Sequence, residues 1–256
     1  MTPDDLTPAL ALRVDDVDGV DVADAVALLR DGELSIEGRV MDASNATFYC
    51  GVTTEGRRAA CVYKPVAGER PLWDFPDGTL AEREVAAYEV SAATGWQIVP
   101  PTVYRDGPAG PGMVQLWVDT DDEVNIGRFM RRRDSERLRE IAVFDAVINN
   151  ADRKGGHLLP TLSGHVFGVD HGVTFSVEDK LRTVLWQWAG AGLPQPMRTV
   201  LTRLSTELDE ALGERLGELL TQREVRQTKA RVRRLMSTGR HPEPSGDWPP
   251  VPWPPI

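Results

Sequence analysis

The sequence predicts an α+β chain of two lobes. A β-rich lobe covers residues 32–118 and a helical lobe 119–240, with an extension over 1–31 and a Pro/Trp-rich tail over 241–256. Three observations predict this division. Short runs of β-branched and aromatic residues between turn formers fill the first half. Apolar residues recur with a helical period through the second. The polar, strongly charged stretch 119–135 separates the two. At 256 residues, 41% hydrophobic and 27% charged, the chain has the makeup of a globule with a sizeable core, which excludes disorder throughout.

Each element follows from local pattern. Val22 to Arg30 has the period of a short helix. The runs Leu34–Val40, Thr47–Val52 and Ala59–Lys64 read as a three-stranded antiparallel meander, the last two joined by a turn at Glu55-Gly56. That turn places Cys50 opposite Cys61, and the two are expected as reduced strand residues. The Pro- and Gly-containing stretch 66–78 is a loop. Thr79-Leu80-Ala81-Glu82 has the form of a capping box, opening a helix from about Leu80 to Ala93 that ends near Gly95. Thr102–Tyr104 and Met113–Val118 are strands flanking a turn over Asp106–Gly112. A long helix covers Glu136–Asn150, with Leu138, Ile141, Phe144 and Ile148 on one face. A hairpin follows, Leu158-Leu159 and Val166–Val169 about the turn Thr161–Gly164. Residues 197–236 read as one or two amphipathic helices. The tail, with seven prolines and two tryptophans in sixteen residues, is extended or polyproline-like, docked or free.

Charge narrows the partners. Twenty-nine Lys and Arg against 39 Asp and Glu leave −10, so a long-range basic field is absent, which argues against general nucleic-acid binding and against attraction to anionic lipid surfaces. No run of about 18 apolar residues is present, and Met1–Asp5 is acidic where a secretory signal would be basic. The expectation is a cytoplasmic protein without a transmembrane segment. Two cysteines are too few for a disulfide scaffold or a four-cysteine zinc site.

Two carboxylates carry the chemistry. Asp152 ends the long helix, in Asn149-Asn150-Ala151-Asp152-Arg153, and Asp170 follows the hairpin, in Val169-Asp170-His171-Gly172. A strand–turn–strand of this length can return the chain so that both face one cleft. With Lys64 on a strand of the other lobe and Glu84 on the helix between, they supply what phosphoryl transfer needs. A lysine neutralises phosphate oxygens and a glutamate holds it. One aspartate orients the acceptor hydroxyl, and the other binds metal bridging the phosphates.

These residues resemble the phosphatidylinositol 3-/4-kinase-like superfamily. The branch is that of type II phosphatidylinositol 4-kinases and HipA-like serine kinases, and within it an actinobacterial family. The resemblance spans roughly 34–190. It rests on Val62-Tyr63-Lys64-Pro65, Glu84–Tyr88, Val99-Pro100-Pro101, Gln115-Leu116-Trp117-Val118, Phe144-Asp145 through Arg153, and Val169–Gly172. It implies a two-lobed protein-kinase-like fold with ATP between the lobes and Mg²⁺ or Mn²⁺ as cofactor. In it Lys64 binds ATP phosphates and pairs with Glu84, Asp152 is the catalytic base, and Asp170 is a metal ligand. Gln115, Leu116, Trp117 and Val118 form the hinge that meets adenine, and Ser44, Asn45, Ala46 and Thr47 form the phosphate-covering loop. That loop lacks glycine here, so a turn made by Ser and Asn would have to present the amides.

A second departure is His157, where the relatives usually carry an asparagine that ligates the second metal. Imidazole nitrogen suits Mn²⁺ or softer ions better than Mg²⁺. Three readings stand: His157 is a metal ligand, it donates to a phosphate oxygen, or Asn149 or Asn150 takes the oxygen-ligand role. Plainer readings account for other features. Glu82 is the cap, Arg131–Arg133 a solvated joint, and His165 a surface residue of the hairpin. Arg231, Arg233 and Arg234 favour a helix C-terminus, and Trp186-Gln187-Trp188 is a packing corner rather than a binding platform.

The resulting expectation is an ATP-dependent phosphotransferase that moves the γ-phosphoryl group to a hydroxyl of a protein or small molecule. The acceptor is not identified by the sequence. The absence of a basic amphipathic helix argues against a lipid acceptor. The alternative is a nucleotide-binding pseudokinase that regulates a protein partner, favoured by His157 and the glycine-free loop.

Overall fold

The structure is a computed structural model, and it describes residues 22–40 and 45–256. Ser44 of the expected phosphate-covering loop lies outside them. The chain forms two compact units. One runs to Ala81 and includes Pro100–Asp119; the other comprises Glu82–Val99 and Thr120–Ile256. The mixed α+β class is as expected, with the sheet in the first unit and most helices in the second.

In the first unit, α1 (Val22–Asp31) precedes strands β1 (Glu33–Arg39), β2 (Phe48–Thr54) and β3 (Arg57–Pro65). These pair with β4 (Thr102–Gly107) and β5 (Gly110–Leu116) in one antiparallel sheet of order β1-β2-β3-β5-β4. The expected meander is therefore three strands of five. Thr54 pairs with Arg57 across the expected two-residue turn, whose Gly56 has φ 80°, a conformation glycine adopts without steric cost. Cys50 and Cys61 are partners, as the turn predicts, and are buried free thiols. Burial pushes Cys50 up to about 11 and Cys61 to about 12, so both stay protonated and unreactive near neutrality.

The turn between β4 and β5 is tighter than 106–112, because Gly107 pairs with Gly110. Tyr63 fixes it: its hydroxyl donates to Gly110 O (2.5 Å) and accepts from Ala109 N–H (3.2 Å). A Cβ on Gly107 would stand 2.7 Å from the Tyr63 ring, so only glycine fits there. Strand pleat then sorts the sheet into faces. Ala59, Cys61, Tyr63 and Pro65 of β3 are buried. On that face Arg105 reaches the α1 end, donating to Leu29 O (2.9 Å) and Gly32 O (2.7 Å). Lys64 points the other way, in a row with Met113 and Tyr104.

α2 spans Leu80–Thr94. Its first amides, Leu80 and Ala81, donate to the Glu69 carboxylate (3.1 and 2.8 Å), a cap from the preceding loop. Its exit is set by Ser91, whose hydroxyl accepts from Ile98 and Val99 N–H (2.8 and 2.9 Å).

The second unit is built on α4 (Glu136–Ile148), preceded by the single turn α3 (Ile126–Phe129) and followed by the hairpin β6 (Leu158–Pro160) and β7 (Val166–Gly168). Ser135 caps α4 at its start, and Asn149 ends it in the left-handed region at φ 52°. Residues 195–238 form three helices rather than one or two: α5 (Gln195–Asp209), α6 (Ala211–Leu219) and α7 (Gln222–Thr238). A Cβ on Gly213 would collide with Leu208 O, so glycine permits the first break. At the second, Thr221 and Glu224 form a complete capping box.

The tail is docked. Pro250 O accepts from Thr183 N–H (3.0 Å) and Trp186 Nε1 (2.7 Å), Pro249 O from Arg182 Nε (3.1 Å), and Pro255 O from Gly155 N–H (2.8 Å). Trp188 is buried, whereas Trp186 is half-buried with its indole N–H fixed by the tail. His165 is half-buried rather than superficial, held between Arg137 Nη2 (2.7 Å) and Gln97 O (2.9 Å). Arg231 likewise is buried within α7 instead of lying on a solvated helix end.

Candidate functional site

In the first unit, Lys64 sits half-buried near the end of β3, paired with Met113 of β5. Beside that row lies Val62–Gln115–Thr102, where buried Gln115 donates from Nε2 to Thr102 Oγ1 (2.8 Å). Past Gln115, the Leu116 N–H goes to Pro101 O (2.9 Å) and the Trp117 N–H to Ala60 O (3.0 Å), so the sheet uses both amides. The Trp117 ring meets Tyr49 edge-on, centroids 5.0 Å apart. Val118 is buried.

The expected phosphate loop is tied to the segment after β3. Asn45 Oδ1 accepts from Arg70 N–H (2.9 Å), Ala46 N–H donates to Gly68 O (3.0 Å), and the Thr47 hydroxyl donates to Asn45 O (3.3 Å). A Cβ on Gly68 would strike Ala46, so this glycine allows the close approach. The Ala46 amide is therefore directed at protein, not outward.

In the second unit the remaining candidates share one structural frame. Its keystone is the fully buried pair Asp145–Arg153: Arg153 Nε and Nη2 donate to Asp145 (3.0 and 2.9 Å), and neither side chain meets solvent. Two charges with no water about them are stable only when every donor and lone pair is used, and that holds here. Asp145 also accepts from Asn150 Nδ2 (2.9 Å). Arg153 donates through Nη1 to Val169 O (3.1 Å) and bonds His171 Nε2 through Nη2 (2.5 Å). Arg153 thereby ties the segment after α4 to the segment after β7, the two that carry Asp152 and Asp170.

Asn150 Oδ1 accepts the Asp152 N–H (2.9 Å), an Asx turn that fixes the start of the Asp152 loop. The Asp152 carboxylate is part-exposed and paired with Lys154 Nζ (2.9 Å). Asp170 stands in the left-handed region at φ 59°, its carboxylate half-exposed. The next amide, His171 N–H, donates to Glu84 Oε2 (2.9 Å), so buried Glu84 of α2 holds the Asp170 loop. His157 Nε2 lies 3.4 Å from Asp170 Oδ2. Burial chiefly, with Arg153 and Lys154, pushes the His157 ring down against the pull of Asp170 and Asp152; it stays neutral near pH 7.

Asn149 and Asn150 are placed elsewhere. Asn149 Oδ1 accepts from Lys180 N–H (2.9 Å), Asn150 Oδ1 from Asp152, and both residues are buried. Both side-chain oxygens are thus already engaged with backbone amides of the protein.

No group of three or more His, Cys, Asp and Glu side chains among the described residues is arranged to hold a metal ion. A Mg²⁺ or Mn²⁺ ion arriving with a nucleotide needs only one or two protein ligands beside phosphate and water. The Asp170 oxygen and the His157 nitrogen, 3.4 Å apart, fit that demand.

The buried frame went unread in the sequence, although a signal was present. Asp145 lies four residues after Ile141 and three before Ile148, an acid within the apolar stripe of α4. Such an acid needs a buried cation, and Arg153 is it.

No family model matches the chain. Among solved structures it is similar to the Helicobacter pylori proinflammatory kinase CtkA, at 10% identity and a TM-score of 0.49, over 82% of this chain and 94% of that one. Among curated proteins it is similar to protein Rv2133c of Mycobacterium tuberculosis, 45% identical over 265 residues that span 90% of this chain and 95% of the relative. At that identity over nearly the whole of both sequences, the chain belongs to the same family as Rv2133c.

Proposed function

We propose that the protein is an ATP-dependent phosphotransferase with a kinase-like site. The observation that carries this reading is the organisation of the second unit. Asp152, His157 and Asp170 stand on two short segments locked together by Asp145–Arg153, with Glu84 bound to the amide after Asp170. Phosphoryl transfer asks little covalent chemistry of a protein; it asks for rigid placement of charge, and this frame supplies it.

Asp152 accepts a hydrogen bond from the acceptor hydroxyl and orients it in line with the γ-phosphorus. Lys154, paired with Asp152, neutralises charge on the transferring group. Lys64 binds phosphate oxygens. Asp170 with His157 would hold the divalent ion, which when bound offsets phosphate charge. Because the sheet uses the Leu116 and Trp117 amides, adenine is met at Val118, and because the Ala46 amide is bound to Gly68 O, phosphate contacts come from side chains more than from that loop's backbone. The acceptor is a protein or small-molecule hydroxyl, given the net charge of −10.

The test is incubation with ATP labelled at the α or the γ position, with Mg²⁺ or Mn²⁺ and a cell extract, followed by intact mass. A gain of about 80 Da per event with γ label, abolished by Asp152→Ala, supports the phosphotransferase.

A second reading has its own observation. The inward-bound Ala46 amide and the imidazole at position 157 both depart from what turnover favours, and a nucleotide-binding regulator needs neither corrected. Thermal stabilisation by ATP without transfer under either metal is its signature.

A further inference from the structure

A cavity of about 630 Å³ opens in the second unit, between the end of α4, α7 and the start of the tail. Its size falls within the range of small-molecule sites, about 300–1,000 Å³. None of Asp152, Lys154, His157 or Asp170 lines it.

Three guanidiniums do: Arg231, Arg234 and Arg240. In a chain of net charge −10 this is a local reversal of sign. Their protein partners fall short of their donors. Arg231 Nε (3.3 Å) and Arg234 Nη1 (2.8 Å) share the single carboxylate of Asp179, and Arg240 Nη1 donates to Gly190 O (2.7 Å). Arg231 is 3% exposed, bonds Ser176 O through Nη2, and has its Nη1 buried without a hydrogen-bond partner. A guanidinium carries five N–H donors that match an oxyanion, and a buried one left unmatched is costly. On the lining, Asp179 and Glu243 oppose the three cations, leaving +1. His241 adds nothing, since burial and Arg139 push it down to about 4. The rest of the wall is mixed: Leu181, Leu235 and Trp186 give it apolar surface, and Asn149, Thr238 and Ser245 add uncharged polar groups.

We propose that this cavity is a binding site for a phosphorylated small molecule. Its phosphoryl group is held by Arg231, Arg234 and Arg240, and its remaining body lies against Trp186, Leu181 and Leu235. A phosphoryl group is chosen over a carboxylate because three guanidiniums require more acceptor oxygens than one carboxylate offers. This site does not depend on the phosphotransferase reading.

Inorganic pyrophosphate is the probe, with citrate as the carboxylate comparison, both followed by titration calorimetry on the full chain. Wild type is expected to bind pyrophosphate saturably and more tightly than citrate. Lys64→Met, which removes the proposed nucleotide lysine, is expected to leave that site intact. Arg234→Gln/Arg240→Gln, at solvent-facing positions, is expected to weaken it at least tenfold, and Arg231→Met to abolish it. Should Arg231→Met fail to fold, the double variant alone decides. Absence of binding at millimolar pyrophosphate overturns the proposal. So does a preference for citrate, binding that survives the double variant, or loss of all binding in Lys64→Met.

Discussion

Asp145 shows how much one residue sets in this chain. Its carboxylate is wholly buried and accepts from Arg153 and Asn150, the two residues flanking Ala151-Asp152. Asp145→Ala would strand the Arg153 guanidinium in the dry interior, where breaking one side of a buried pair costs about 3–5 kcal/mol. Urea unfolding is expected to show a loss of that size, and a loss below about 1 kcal/mol would mean that the pair is solvated after all. Asp152, Asp170 and Lys64 stand out in the sequence as candidates because they sit at element ends beside turn formers. The Asp145–Arg153 pair does not, because an acid in the apolar stripe of α4 calls for a buried cation without saying which residue supplies it. His241 makes the same point in the tail. It accepts from Arg139 Nε (3.0 Å), and burial, then Arg139, pushes it down to about 4. Its folded value lies below the ordinary 6.5, so the unfolded chain binds the extra proton first as pH falls. Stability is therefore full above pH 6.5 and falls toward pH 4, by roughly 2 kcal/mol after screening. His241→Gln, which keeps an acceptor for Arg139, is expected to flatten that slope in unfolding measured between pH 4 and 7; an unchanged slope would assign the acid loss to other groups.

Among elements, those with their own start and stop signals were readable and those stopped by a neighbour were not. The three strands of the meander, α2 and α4 match their expected positions within a few residues. The break between α5 and α6 follows from Leu208 O lying against Gly213, a contact that a continuous amphipathic pattern conceals. The break before α7 has a local signal that the expectation of one or two helices did not include: Thr221 and Glu224 stand at capping-box spacing. The tail shows the limit of composition: seven prolines predict an extended segment but not its acceptors. Proline carbonyls are acceptors whose own residues have no N–H to satisfy, and four donors from 155–186 use them: the amides of Gly155 and Thr183, Arg182 Nε and Trp186 Nε1. Two of those donors, Gly155 and Thr183, flank the Asp152 loop in its folded frame, Thr183 by a bridge to Arg153. Deleting residues 247–256 is expected to speed hydrogen exchange at the Gly155 and Thr183 amides at least tenfold while α5 and α6 amides stay protected. Equal protection with and without the tail would reduce it to a passive covering.

For the molecule as a whole, the proposed activity turns on which divalent ion the second unit accepts, and the structure makes that a measurable choice. Burial keeps His157 neutral, the form that ligates metals, and its Nε2 edge is turned to Asp170 Oδ2 at 3.4 Å. Its Nδ1 is buried without a hydrogen-bond partner, so the ring can act only through Nε2. One carboxylate oxygen with one imidazole nitrogen is a borderline donor set that favours Mn²⁺ over Mg²⁺, whereas a side-chain amide oxygen reverses the preference toward the harder ion. The buried Asn149 and Asn150 oxygens, each already accepting a backbone N–H, do not compensate. His157→Asn is therefore expected to raise the thermal stabilisation by ATP with Mg²⁺ relative to that with Mn²⁺. The readout is nucleotide-dependent melting, so it holds for a phosphotransferase and for a regulator alike. Asp170→Asn is expected to weaken stabilisation with both ions, because it removes the only anionic donor of the pair. If instead the Mg²⁺ to Mn²⁺ ratio is the same in wild type and His157→Asn while Asp170→Asn still weakens both, the imidazole faces phosphate rather than metal, and Asp170 holds the ion alone.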